Sequence, residues 1–63
     1  MRTNVNTAYA DGKKQVEISG LSSDTKPTAN IAEGSIFCEV DTGKVFFFNE
    51  TSSTWVEQFS FQG

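Results

Sequence analysis

The chain has no histidine and a single cysteine in 63 residues, and these two shortages exclude most side-chain chemistry. Histidine is the usual acid–base group at neutral pH. A structural zinc site needs about four Cys or His ligands, and Cys38 has no second thiol with which to close an internal disulfide. Basic residues are also scarce, with 5 Lys and Arg against 8 Asp and Glu. A nucleic-acid partner is therefore not expected, because a dedicated binder presents a basic face to phosphates. No apolar run approaches the ~20 residues of a membrane span, so a membrane is not an expected partner. The first residues, MRTNVNTAYADGKK, hold no continuous apolar segment that would serve as a signal peptide. The expectation is a protein made in a cytoplasm that stays soluble until it assembles.

Sixty-three residues allow one domain. A lone domain of this size buries about 60% of the surface its unfolded chain exposes. Its core rarely supplies more than roughly 3–5 kcal/mol without a disulfide, a metal or a partner chain. With the first two lacking, association remains, so a homo-oligomer or a part of a larger assembly is expected.

What the chain does have is concentrated in residues 34–58, GSIFCEVDTGKVFFFNETSSTWVEQ. Three short runs rich in β-branched and aromatic residues, at 35–40, 44–49 and 54–59, are separated by two polar turns, the pattern of an antiparallel meander. Upstream, Val16 and Ile18 alternate with Gln15, Glu17 and Ser19 as in a half-buried strand. The predicted fold is all-β: a small antiparallel meander of three to four strands over residues 15–63, preceded by an extended N-terminal arm over residues 1–14. The arm is polar apart from Val5 and Tyr9. Either it is a disordered tail or it orders against a neighbouring subunit and buries those two side chains.

Residues 22–33 form a long loop with Pro27 in it, and Ile31 is the one large apolar side chain able to pin it to the core. Leu21 is expected to tuck beneath that loop. The turn Asp41-Thr42-Gly43-Lys44 is structural: Gly43 supplies positive φ, and the Asp41 carboxylate can accept hydrogen bonds from turn amides.

Alternation places Ile36, Cys38 and Val40 on one side of their strand and Phe37 and Glu39 on the other. The next strand is apolar on both sides, with Val45 and Phe47 opposed to Phe46 and Phe48. A strand of that kind is ordinarily covered on both faces, and so short a chain has barely enough material to cover one. The surplus aromatic surface is either a subunit interface or a face hidden by residues 1–33. In the last strand Trp55, Phe59 and Phe61 share a side by alternation. The candidate interface residues are Val5, Tyr9, Phe46, Phe48, Trp55, Phe59 and Phe61.

No nucleophile–base pair is legible, and no catalytic residue, metal site or cofactor is expected. Cys38, in a row with Ile36 and Val40, reads as a small buried hydrophobe. Asp24, Glu33, Glu39 and Asp41 lack the spacing of a calcium loop. Asn49-Glu50-Thr51 matches a glycosylation sequon without a secretory signal beside it.

The loop SSDTKPTAN followed by EGSIFCEVDTGKVFFFNETSSTWVEQ resembles a group of small virion-associated structural proteins of tailed bacteriophages. Those short chains carry a D-T-K-P-T loop, an E-V-D-T-G-K hairpin and a terminal Trp followed by E-Q. The resemblance spans about residues 18–58 and is most specific at Asp41 to Lys44 with Trp55 downstream. It implies a minor capsid, head decoration or cementing protein located in the virion, with other virion proteins as partners and no enzymatic activity. A neck or tail component is the nearest alternative. A host-attachment module that stacks sugars on Trp55 and Tyr9 is the alternative from a different class.

Overall fold

In the computed structural model, which describes residues 1–60, five strands form one sheet in the order β1-β2-β3-β4-β5. They are β1 (Arg2–Ala8), β2 (Lys14–Gly20), β3 (Ile36–Glu39), β4 (Lys44–Asn49) and β5 (Thr54–Ser60). The all-β class holds. The expected three- to four-stranded antiparallel meander is corrected in two respects: there are five strands, and β2 pairs with β3 in parallel while the other three pairings are antiparallel.

The extra strand comes from the segment expected to be an arm. Residues 2–8 pair with β2 although all seven are exposed. Burial does not hold β1 in place. Its ladder to β2 does, together with a turn in which the Tyr9 and Gly12 amides donate to the Lys13 and Tyr9 carbonyls at 2.8 and 3.1 Å. The Asp11 carboxylate accepts from the Lys13 amide at 3.0 Å, as Asx turns do.

The parallel pairing follows from the loop. Two parallel neighbours need a crossover of a dozen or more residues, and residues 21–35 supply it without a helix. Asn30 and Gly34 take left-handed backbone, with φ of 61° and 87°, and steer the chain back across the sheet. Ile31 and Ala32 are carried onto the sheet and buried there. Ser35, fully buried, closes the crossover: its hydroxyl accepts from the Val16 amide at 3.0 Å and donates to the Ala32 carbonyl at 2.9 Å. Leu21, expected beneath the loop, is 45% exposed. The tight turn that follows swings it outward, with the Leu21 amide held by Asp24 Oδ2 at 2.8 Å and the Asp24 amide by the Leu21 carbonyl at 3.0 Å.

The core lies between the loop and one face of the sheet. Val16, Ile18, Ile31, Phe37 and Phe48 form it, with Phe46 and Trp55 packed against it. Gly20 is pressed against this layer: a Cβ there would sit 2.8 Å from Asp24 Oδ2 and 3.1 Å from the Phe37 ring. At the hairpin, Gly43 has φ of 76°, which a side chain would strain.

Candidate functional site

The sheet has two unlike faces, and the cross-strand register fixes which residues share them. Strand partners point the same way, so Ile18, Phe37 and Phe46 lie on the loop-covered face, with Phe48 opposite Trp55. The other face carries two rows. One runs Ile36, Phe47, Val56 across β3, β4 and β5; the next runs Cys38, Val45, Phe59. On the β1–β2 side the same rows continue through Glu17 and Asn4 and through Ser19 and Arg2.

The covered face is closed by chemistry as well as by packing. Glu39 is 4% exposed, and its Oε2 lies 2.6 Å from Lys26 Nζ while Oε1 accepts the Thr42 hydroxyl at 2.7 Å. The hydrogen bonds from Lys26 and Thr42 hold the Glu39 carboxyl below its ordinary 4.5, against the burial that would raise it. Lys26 Nζ also stands 4.6 Å from the centroids of both Phe37 and Phe46, a double cation–π contact. Trp55 meets Phe37 and Phe48 edge-on, at 5.9 and 5.1 Å between ring centroids, and its Nε1–H donates to the Pro27 carbonyl at 2.9 Å. Lys26 and Pro27 of the loop are thus fastened to β3 and β5.

This geometry relocates several of the expected interface residues. Phe48 is 3% exposed and belongs to the chain's own core, where Phe46 and Trp55 are packed against it. The surplus aromatic surface is instead on the opposite face, where Phe47 is 40% exposed and Val56 43%. Phe59 was expected to share a side with Trp55. The register shifts where Val45 pairs with Phe59 and Phe46 with Glu57, so one extra residue, Gln58, breaks the alternation and turns Phe59 toward the Val45 and Val56 side. Cys38 is half-buried on the outer face and not a core residue, because Phe37 takes the inward position on β3. Val5 and Tyr9 are exposed. Phe61 lies outside the described residues.

Asp41 does more than the turn required. Its Oδ1 accepts the Ser22 amide at 2.9 Å and its Oδ2 the Ser22 hydroxyl at 2.6 Å, tying the end of β2 to the β3–β4 turn. The Ser22 hydroxyl is the main cause that holds the Asp41 carboxyl below its ordinary value, with backbone amides of Ser22, Asp41 and Thr42 adding to it.

At the β1–β2 end, a shallow cavity of about 310 Å³ is lined by Tyr9, Asp11, Lys13, Ala32, Glu33 and Glu50. Its one lysine is already paired, and two of its three carboxylates accept backbone amides from each other's residues. Lys13 Nζ lies 3.0 Å from Glu50 Oε1, and Glu33 and Glu50 each accept the other's backbone amide, at 3.3 and 3.0 Å. The Glu33 amide and the Lys13 ammonium keep Glu50 below its ordinary value, and Glu50 in turn raises Lys13. Among the described residues, no three His, Cys, Asp or Glu side chains are grouped to hold a metal ion.

No family model matches the chain, and no curated protein or solved structure is found to match it either.

Proposed function

We propose that the chain is a structural protein of a tailed-phage virion, a minor capsid or head decoration protein that cements neighbouring subunits. One observation carries the reading. A sheet whose inner face is sealed by its own loop keeps Ile36, Phe47 and Val56 in an unbroken row on its outer face. Contiguous apolar surface of this kind marks contact sites on soluble proteins. The resemblance of the D-T-K-P-T loop, the E-V-D-T-G-K hairpin and the downstream Trp to small virion proteins supplies the setting. A neck or tail position would use the same surface.

The carbohydrate-binding alternative has less support. It needed Trp55 and Tyr9 open together, and Trp55 spends its indole N–H on Pro27 and its ring on Phe37 and Phe48.

The test is to infect cells with particles whose copy of this chain is tagged, purify intact virions on a density gradient, and quantify the chain per particle. A fixed stoichiometry that survives salt washing, and is lost in Phe47→Asp, is expected. Absence from intact particles would end the reading.

A further inference from the structure

We infer that Glu39, Phe37 and Phe46 form a binding site for a primary alkylammonium ion, that Lys26 is its tethered occupant, and that residues 22–29 are the lid that withdraws it. The inference concerns the inner face of the sheet and does not depend on the virion reading.

The site has the parts that recognise such a cation. Glu39 is 4% exposed, and its Oε2 lies 2.6 Å from the Lys26 ammonium. The Thr42 hydroxyl takes Oε1 at 2.7 Å, which fixes the carboxylate and leaves Oε2 for the cation. The rings of Phe37 and Phe46 each lie 4.6 Å from the same nitrogen and present two π faces to it. All three side chains stand on β3 and β4, where Phe37 is registered opposite Phe46. The receptor is therefore built by the sheet, whereas its occupant comes from the loop. The bond to Oε2 demands an N–H, which a quaternary ammonium lacks, so the ligand class is a primary amine such as a lysine side chain. The Lys26 side chain is 19% exposed, so the site reaches solvent along the lysine stem.

The occupant sits on a lightly fastened segment. None of residues 22–29 is buried. Polar contacts tie them to the sheet: Ser22 to Asp41 at 2.9 and 2.6 Å, Lys26 to Glu39, and the Pro27 carbonyl to the Trp55 indole N–H at 2.9 Å. Past Asn30, where φ is 61°, the chain is held differently. Ile31 and Ala32 are buried, and the Ala32 amide donates to the Lys14 carbonyl at 2.8 Å. The crossover is thus a polar lid followed by an apolar anchor, and lifting the first leaves the second in place. With the lid closed, the tether keeps Lys26 ahead of a dissolved amine of equal affinity.

The experiment uses the purified full chain carrying Lys26→Ala, which empties the site and leaves Glu39 facing it. n-Propylammonium chloride replaces the atoms removed. At about 50 mM it is expected to raise Tm by about 5 °C or more over sodium chloride at the same concentration. 1-Propanol, its neutral analogue, is expected to give no rise, and tetramethylammonium a smaller one. Wild type, with its site filled, is expected not to respond. Lys26→Ala combined with Glu39→Gln is expected to lose the preference for the ammonium. If Lys26→Ala is unfolded by itself, recovery of its far-UV spectrum in n-propylammonium and not in 1-propanol reads the same binding. The lid is read in wild type by hydrogen exchange: the Trp55 indole N–H is expected to exchange at least about tenfold faster than the Val16 amide.

Equal responses of Lys26→Ala to n-propylammonium and 1-propanol overturn the inference, since they describe an apolar gap. So does no response at all, or one that survives Glu39→Gln. An equal rise in wild type also overturns it by placing the amine elsewhere. A Trp55 indole proton that exchanges no faster than the Val16 amide overturns the lid, and with it access to the site in the native chain.

Discussion

Phe47 and Phe48 are chemically identical neighbours on one strand, and the contrast between them is the contrast between the two faces of the sheet. Phe48 is 3% exposed beneath the chain's own loop, against Trp55; Phe47 is 40% exposed on the other side. A 15-residue crossover at 21–35 is enough chain to cover one face, and the parallel β2–β3 pairing obliges it to cross that face. On the other face cover is partial: Val45, of the same parity as Phe47, is 5% exposed, while Phe47 and Val56 beyond it stay open.

The largest expected effect breaks the comparison at its closed side. Phe48→Ala removes a ring from the core and is expected to cost about 3–5 kcal/mol, most of what so small a domain has. Chemical denaturation followed by far-UV circular dichroism reads it. A loss below about 1 kcal/mol would mean that the loop does not seal this face.

Next comes the clamp that fastens the loop. Glu39→Gln leaves the Lys26 ammonium without its carboxylate, and is expected to cost about 1–3 kcal/mol, the discount reflecting the 19% exposure of Lys26. Lys26→Met together with Glu39→Gln is expected to recover part of the loss, because no unpaired charge stays behind. The pH dependence has a definite sign. Glu39 is held below 4.5 in the folded chain, so its contribution is complete above about 4.5 and is lost as pH falls through the folded value. Asp41 and Glu50 are displaced in the same direction and act in the same acid window. Acid titration of the wild type should therefore show a steeper loss below about pH 4.5 than titration of Glu39→Gln.

A smaller effect is expected at the loop's return to the sheet. Ser35→Ala strands the Val16 amide, which its hydroxyl satisfies at 3.0 Å, and is expected to cost about 1–2 kcal/mol. Hydrogen exchange reports it locally, with the Val16 amide losing protection before those of β4 and β5.

How much of this was legible in the sequence varies from strand to strand for physical reasons. Val16 and Ile18 alternate with polar residues and are buried as expected, and the positive φ of Gly43 follows from its place in a four-residue turn. Strand β1 was illegible as a strand because RTNVNTA buries nothing, and backbone pairing leaves no mark in side-chain pattern. On β3, alternation divided the residues correctly but could not say which set faces inward. The more apolar set, Ile36 and Cys38, lies outside, because Phe37 fills the core and Glu39 finds Lys26 from a loop 13 residues away. Phe59 changed sides through one bulged residue, which parity counting cannot detect. The outer row was half legible: a strand apolar on both faces was expected to need outside cover, but the register was needed to assign Phe47 rather than Phe46 and Phe48 to that role.

The smallest effect sharpens the comparison most. Phe47→Ala is expected to cost the dilute, isolated chain about 1 kcal/mol or less, since a half-exposed side chain has few contacts to lose. Its neighbour's cost is several times that. Raising the protein concentration should change the result. If Phe47 is completed by another chain, association stabilises the folded state by mass action, so the wild-type Tm rises with concentration. In Phe47→Ala that rise is expected to flatten, because the contact driving it has been removed. Phe48→Ala is expected to lower Tm at every concentration while its slope persists for as long as the sheet forms. Two adjacent phenylalanines would then differ not only in how much stability they hold but in whether a second molecule is needed to express it. Equal slopes in wild type and Phe47→Ala would return the outer face to ordinary solvent-exposed surface.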